Sequence, residues 1–223
     1  MSLSNKYSFG LLSFVHLPTS IIFLIGFLLM DLTFYWWHWA NHRMPILWRF
    51  HNVHHTDPDM DVTTSFRFHI IEILISGGFR ALQVGIIGIQ PVTYIIYEFV
   101  FTCSTMFHHS NLLLPIKLER IINSIFVTPR MHAIHHSNVQ EETNSNFSVV
   151  FRWWDYIHKS LRLNIYQSEI TIGIPAYMKH TDNKILRLLL LPLIKQKQYW
   201  LMPDGKIQKR TLDQETKQTY LLK

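Results

Sequence analysis

The histidines of this sequence number 14 in 223 residues, and most of them fall in short clusters. Ten lie in His38-Trp-Ala-Asn-His42, His51-Asn-Val-His54-His55, His108-His109 and His132-Ala-Ile-His135-His136. Residues at i, i+3 and i+4 share one face of a helix, so each His-x-x-His-His motif can point two or three imidazoles at one position. By chance only about 0.05 such motifs are expected in a sequence of this length and composition, and this chain has two. The pattern predicts a histidine-rich metal site.

The number of clustered imidazoles exceeds what one metal ion needs. Zinc takes four ligands, and a catalytic zinc takes three protein ligands and a water. Two metal ions, each with four or five nitrogen ligands, fit the count better. Imidazole suits iron, zinc, copper and nickel, so the residue types leave the metal open. The absence of His-Glu-x-x-His and Glu-x-x-His excludes the zinc-protease and ferritin-like patterns, and the single Cys103 excludes a thiolate site.

Two long apolar regions predict the elements that position these clusters. Thr19–Trp39 contains a single charged residue and is long enough to cross a membrane as a helix, with aromatic residues at its end that are typical of the interface. Phe68–Phe107 is about twice that length. It is interrupted by Gly88-Ile89-Gln90-Pro91, which predicts a helical hairpin with arms Phe68–Ile89 and Pro91–Phe107. Three spans would bring every cluster to one face of the bilayer.

Charged residues inside the hairpin leave an alternative open. Glu72, Arg80 and Glu98 lie within it, and such groups either face the interior of a membrane bundle or indicate a buried hairpin of a soluble α protein. Residues 7–17 are apolar but too short to span, which favours an interfacial segment. Leu186–Ile194 is short and contains a proline, which favours an amphipathic segment on the membrane surface.

Composition and charge exclude several classes of protein. Hydrophobic residues make up 48% of the chain and charged residues 16%, which excludes a disordered protein. From His108 onward there are 16 Lys and Arg against nine Asp and Glu, beside hydrophobic runs, as expected of a cytoplasmic, membrane-adjacent surface. Basic residues are not interleaved with aromatics as in a nucleic-acid interface, so no nucleic-acid partner is expected. No glycine-rich nucleotide-binding motif is present either.

The predicted fold class is therefore all-α, an integral-membrane helical bundle with its histidine cluster at the cytosolic face. We divide the chain into an interfacial segment at 1–18, a multi-pass membrane domain at 19–165, and a membrane-surface or cytosolic tail at 166–223. The histidine clusters all belong to the middle part.

The sequence around the clusters carries a family resemblance. The stretches concerned are Phe34-Tyr-Trp-Trp-His-Trp-Ala-Asn-His42, Leu47-Trp-Arg-Phe-His-Asn-Val-His-His-Thr-Asp57, Phe107-His-His-Ser-Asn-Leu-Leu-Leu-Pro115, Val127-Thr-Pro-Arg-Met-His-Ala-Ile-His-His-Ser137, Asn144-Ser-Asn-Phe147 and Trp153-Trp-Asp155. Together they resemble the bacterial branch of the fatty acid hydroxylase/sterol desaturase superfamily of integral-membrane di-iron oxygenases. The resemblance covers roughly residues 20–165.

This resemblance implies a ligand set and a reaction. The implied metal ligands are His38, His42, His51, His54, His55, His132, His135 and His136, with His109 as a ninth and His108 as a further candidate. The implied cofactors are two iron ions, which zinc can replace in purified protein, with O2 as co-substrate. The implied reaction is hydroxylation or desaturation of a fatty acyl or sterol-like lipid. The electron donor must be a separate protein, because the chain has no flavin or nicotinamide motif.

Polar residues near the clusters are candidates to orient the imidazole rings, as metal-bound histidines usually require. The candidates are Asp31, Asp57, Asp61, Asn111, Asn144 and Asp155. Each can alternatively be a helix cap, a turn residue or a surface group. The remaining histidines, His16, His69, His158 and His180, are expected to lie outside the metal site.

Two other functions compete with a lipid oxygenase. One is a membrane protein that transports or stores metal, and the other is a zinc-loaded site with non-oxygenase chemistry. Transport would place the ligands within the spans, near the membrane midplane. The clusters here lie at the ends of the predicted spans, which favours catalysis.

Overall fold

Prolines and a glycine set the boundaries of the long helices. In the computed structural model, α1 spans Thr19–Arg43, α2 Pro45–His55, α3 Ile70–Ile87 and α4 Pro91–His108. A proline at the first position of α2 and of α4 costs no hydrogen bond, because that N–H has no intrahelical partner. Gly88 ends α3 with a φ of 74°, in the left-handed region that glycine favours. The turn predicted between the hairpin arms is therefore present.

Shorter helices complete the structure, which describes residues 9–210. They are α5 Ile116–Asn123, α6 Pro129–His135, α7 Gln140–Thr143, α8 Trp153–Ile157 and α9 Ile185–Leu190. Single 3₁₀ turns lie at Leu11–Phe14, Val62–Phe66, Gln167–Glu169, Pro175–Tyr177, His180–Asn183 and Leu191–Leu193. Within the described range the chain forms isolated bridges but no strand, and the all-α prediction is confirmed.

Two helices, α1 and α3, are long and apolar enough to cross a membrane. Most of their surface is not covered by the rest of the described chain, whereas the core helix of a soluble protein is mostly buried. On α3, Leu74 is 68% exposed, and on α4, Phe99 is 69% exposed. The arm α4 has 18 residues but falls short of the apolarity of a span, so a crossing by both arms of the hairpin stays a prediction.

The long helices pack around α1, with α3 and α4 each lying against it. Far from the histidines, Phe27 and Met30 of α1 form a core with Ile87, Ile89 and Tyr97. The N-terminal turn closes this end of the bundle, where a Cβ at Gly10 would lie only 2.4 Å from the Cα of Gly88. Residues 7 and 8 of the predicted interfacial segment lie outside the described residues.

The segment after residue 165, which the sequence predicted as a membrane-surface or cytosolic tail, packs in part onto α2. Trp200 stacks on Trp48 with ring centroids 6.0 Å apart, and Arg49 donates to the carbonyl oxygen of Ile194 at 2.7 Å. Arg210, the last described residue, forms an ion pair of 2.7 Å with the buried Glu142. This part of the chain therefore covers the helix that carries three of the clustered histidines.

Asp31 connects α1 to the loop that follows α7. Its Oδ2 accepts hydrogen bonds from the indole N–H of Trp154 at 2.7 Å and from the backbone N–H of Phe151 at 3.1 Å. Asp31 is 1% exposed, and its removal would leave these two part-buried donors without their acceptor. A fully buried donor without an acceptor costs about 1–3 kcal/mol, and a part-buried one costs less. The carboxylate thus holds the loop against the helix.

We predict that Asp31→Ala lowers the thermal unfolding temperature of the detergent-purified protein by several degrees. The matched control is Asp59→Ala, since Asp59 is exposed. Equal unfolding temperatures for the two variants would show that the Asp31 bonds do not stabilise the fold.

Candidate metal centre

Four segments bring the ten clustered histidines together. His38 and His42 lie in the last turns of α1, and α2 carries three more in its second half. His108 ends α4 with His109 directly after it, and the last cluster lies along α6 and its C-terminal end. All ten side chains are buried, with at most 8% of any residue exposed. Helices distant in sequence therefore point imidazoles into one interior region.

The imidazole nitrogens form two compact groups. The first group is His38, His42, His51, His55 and His135, and the second is His54, His109, His132 and His136. Within each group, one nitrogen from every residue lies within 4.8 Å of the others. The groups are adjacent, since the rings of His55 and His136 stack with centroids 4.3 Å apart. Five and four nitrogens are suitable donor sets for two metal ions.

Hydrogen bonding fixes where the lone pairs of the first group point. His38 Nδ1 lies 2.8 Å from the carbonyl oxygen of Phe147, and His135 Nδ1 lies 2.7 Å from that of Ser145. A carbonyl oxygen only accepts, so both protons lie on Nδ1 and both Nε2 atoms carry lone pairs. These two Nε2 atoms are 3.1 Å apart. Two facing lone pairs repel each other unless a cation binds both.

The second group shows the same arrangement around His109. Its Nδ1 donates to the carbonyl oxygen of Thr105 at 2.8 Å, which leaves the lone pair on Nε2. That Nε2 lies 3.2 Å from His54 Nε2 and 3.1 Å from His132 Nε2. Two nitrogens bound at right angles to one metal, each about 2.1 Å from it, are about 3.0 Å apart. The donor sets therefore fit metal ions.

Burial keeps these imidazoles in the form that binds metal. Burial lowers the pKa of His54, His55 and His132 well below the ordinary value, and neighbouring histidines lower it further. For His109, burial lowers the pKa to about 4. A lowered pKa means that the ring stays neutral at pH 7, and the neutral ring has a lone pair for a metal.

Glu72 of α3 orients a ring in the first group. Its Oε1 accepts the Nδ1 proton of His51 at 2.6 Å, which leaves His51 Nε2 for a metal. The sequence analysis treated Glu72 only as a charge within the hairpin. It is far from His51 in sequence, so no local spacing pattern could reveal the pair. The usable signal was a carboxylate in the first turn of a helix that begins close to the clusters.

Asp155 acts on the site through the backbone. Its carboxylate accepts from the N–H groups of Phe147 and Ser148, both at 2.8 Å. This holds the loop whose Phe147 carbonyl takes the Nδ1 proton of His38. Asp155 is therefore a positioning residue one step removed from a candidate ligand.

The other predicted orienting residues bond elsewhere within the described chain. Asp57 accepts from Thr64 Oγ1 at 2.8 Å and pairs with Arg67, and Asp61 caps the turn at Val62–Phe66. Asn111 is exposed and Asn144 ends α7, while Asp31 holds Trp154 and Phe151. The carboxylates of Asp57, Asp61 and Asp31 are used in these contacts, none of which is with a clustered histidine.

The histidines outside the two groups differ in their surroundings. His108 is buried with its ring centroid 4.0 Å from that of His132, but it belongs to neither group. His69 caps α3 and bonds to the Leu189 carbonyl, and His158 stacks on Tyr35. His16 and His180 are exposed.

A cavity of about 370 Å³ opens onto the histidines. His51, His54 and His132 contribute to its wall, together with aromatic side chains such as Phe34 and Phe101. A cavity of this size and lining is suited to an apolar ligand. The metal groups therefore adjoin a space for an organic substrate.

Sequence comparison relates the chain to known proteins. The family model described as fatty acid hydroxylase matches residues 23–160. Human cholesterol 25-hydroxylase is 29% identical over 151 residues, which are 67% of this chain and 51% of that protein. Ornithine lipid hydroxylase OlsE of Rhizobium tropici is 27% identical over 160 residues, 70% of this chain and 46% of that protein. Human alkylglycerol monooxygenase is 27% identical over 133 residues, 59% of this chain and 28% of that protein.

The chain spans about half or less of the length of these curated relatives. No solved structure gives a significant match.

We predict a graded loss of metal affinity at Glu72. Glu72→Ala removes the acceptor of the His51 proton and should weaken metal binding about 10- to 100-fold. Glu72→Gln keeps an acceptor oxygen without the charge and should fall between Ala and the wild type. Chelator competition on the purified protein measures the affinities. Glu141→Gln, at an exposed position, is the control, and wild-type affinity in Glu72→Ala would contradict the role assigned to Glu72.

Proposed function

The chain belongs to the fatty acid hydroxylase family, and from this we propose that it oxidises a C–H bond of a membrane lipid with O2 at two iron ions held by the clustered histidines. The observation that carries the proposal is the pair of buried histidine groups beside an apolar cavity. Three of the relatives are named as hydroxylases or monooxygenases, which favours hydroxylation, with desaturation as the alternative outcome.

The nine grouped histidines would hold the metals, five at one position and four at the other. Bound iron would activate O2 for the oxidation of an unactivated C–H bond, which no side chain can do. The carbonyls of Phe147, Ser145 and Thr105 fix three rings through Nδ1, and Glu72 fixes a fourth. The protein thereby sets the direction of these four lone pairs before a metal binds, so these rings need not reorient when it does.

The cavity would bind the lipid substrate and keep water from the metal groups. Its aromatic and aliphatic walls bind the hydrocarbon part of a lipid and exclude water from the metal groups. It extends from the histidines between α1, α3 and α4, and the outer surfaces of α3 and α4 carry exposed apolar side chains. A lipid could therefore pass from the bilayer to the histidines without crossing water. An apolar cavity beside the histidines favours lipid oxidation over metal transport.

The membrane setting and the electron donor belong to the same proposal. We place α1 and α3 in the bilayer, with α4 as a further span and the histidines at the cytoplasmic face. The excess of Lys and Arg after His108 supports this orientation. Electrons come from a separate protein, because the sequence lacks a motif for a bound nucleotide.

The test uses the iron-loaded protein in membranes, with an added ferredoxin and its reductase as electron source, a total lipid extract and isotopically labelled O2. Mass spectrometry should find a lipid that has gained one labelled oxygen, or one that has lost two hydrogens only when O2 is present. Neither product in the wild-type reaction would contradict the proposed activity.

His135→Ala should lower product formation at least about 100-fold, because His135 Nε2 is one of the facing nitrogens of the first group. His180→Ala is the matched control, since His180 is exposed, and it should retain wild-type activity. Undiminished product with His135→Ala present in the membrane fraction would overturn the assignment of this ligand.

A further inference from the structure

The cavity beside the histidines has a charged far end. Arg80 of α3 and Glu98 of α4 both line it, and Arg80 Nε lies 2.8 Å from Glu98 Oε1. The ion pair thus joins the two arms of the hairpin across the space between them. Charged side chains among apolar helices are costly and usually have a specific role.

The pair is held by contacts with α1, α3 and α4. The Arg80 guanidinium lies over the rings of Phe34 of α1 and Phe101 of α4, 4.7 and 4.9 Å from their centroids. Arg80 also donates to Gln83 Oε1 at 2.9 Å, and Gln83 donates to Thr33 Oγ1 of α1 at 2.6 Å. Cation–π contacts and hydrogen bonds therefore hold the pair in one place.

Beyond the pair the bundle is closed. The next residues inward are the packed core of Met30, Ile87 and Tyr97, of which Met30 and Tyr97 have no exposed surface. The contact between Gly10 and Gly88 seals the end of the hairpin. The cavity therefore has the histidines at one end and the ion pair, backed by this packed core, at the other.

We propose that the Arg80–Glu98 pair is the floor of this cavity and sets the length of the unbranched apolar chain that the enzyme accepts. An apolar chain cannot part the pair, because separating two opposite charges in apolar surroundings costs far more than displacing apolar side chains. The inference rests on the proposed function, in which oxidation takes place at the histidines.

The depth of the cavity sets the length of the apolar chain that fits between the histidines and the ion pair. Glu72, which touches His51, and Arg80 are eight residues apart on α3, a distance of about 12 Å along a helix. An extended chain with C–C bonds of about 1.5 Å gains roughly 1.25 Å per methylene, so about nine methylenes fit. The oxidised carbon should therefore lie about nine carbons from the apolar end of the substrate chain.

Two double variants separate the bulk of the floor from its charge. Arg80→Ala/Glu98→Ala removes both side chains and opens the floor, while Arg80→Met/Glu98→Leu removes the charges and keeps most of the bulk. Removing both partners together avoids leaving one charge unpaired among apolar helices. Thr102→Phe tests the opposite direction, because Thr102 lines the cavity one turn of α4 closer to the histidines than Glu98. Gly78→Ala is the control, since a Cβ there meets no atom within 4 Å.

The measurement is the thermal stabilisation of each metal-loaded, detergent-purified variant by saturated fatty acids of increasing chain length. For the wild type, stabilisation should rise with length and then stop rising at a limit. The Ala/Ala variant should move this limit to longer chains by at least about two carbons, and the Met/Leu variant should move it less. Thr102→Phe should move it to shorter chains, by about four carbons for one turn of about 5.4 Å. Gly78→Ala should leave it unchanged.

An identical limit in every variant, or loss of all fatty acid binding in the Met/Leu variant, would contradict the proposal that the ion pair forms the floor of the cavity. The second result would mean that the pair binds a polar group of the ligand. This assay needs no turnover. Shifted limits without any oxidised product would therefore support the role of the ion pair in setting chain length and contradict the proposed activity. If product forms, its oxidised position, counted from the methyl end, should shift with the same variants.

Discussion

The structure depends on one electrostatic constraint, the close approach of imidazole lone pairs in a buried region. His38 and His135 both have their protons fixed on Nδ1 by carbonyl oxygens, yet their Nε2 atoms are 3.1 Å apart. Both ring nitrogens of His42 and of His55 lack a hydrogen-bond partner within the described chain, although they are buried. Buried polar atoms without partners are costly, and a metal ion satisfies several of them at once. The buried nitrogens of the site are therefore suited to binding cations.

The scaffold around the site maintains this arrangement. The loop after α7 supplies two carbonyls to ring protons, and Asp155 and Asp31 tie this loop down from two sides. Glu72 belongs to α3, so the same helix that lines the cavity also orients a candidate ligand. A displacement of α3 would therefore alter both the orientation of the His51 ring and the shape of the cavity.

Much of this site could be predicted from local sequence patterns. The spacing within His51-Asn-Val-His54-His55 places its rings on one face of α2, and Gly88 marks the hairpin turn through its left-handed backbone. The first arm is slightly shorter than predicted because His69 caps α3 and Gly88 ends it, and the second arm ends at His108, one residue later than predicted. The family resemblance supplied the division between candidate ligands and the histidines outside the two groups.

Long-range partners could not be predicted in the same way. Glu72 meets His51, and Asp31 meets Trp154, through contacts between elements far apart in the chain, which leave no periodicity in either segment. Asp57 and Asp61 had suitable positions near the second cluster, but nearby threonines and an arginine occupy their carboxylates. The packing of Trp200 on Trp48 likewise depends on tertiary contacts that the sequence of the C-terminal segment does not indicate.

The most direct test of the account is the metal content of the detergent-purified chain after loading with iron and removal of excess metal. The two groups of nitrogens predict about two metal ions per chain for the wild type. His42→Ala and His109→Ala disrupt different groups and should each retain about one. One metal or none in the wild-type chain would contradict the claim that these imidazoles enclose a pair of ions.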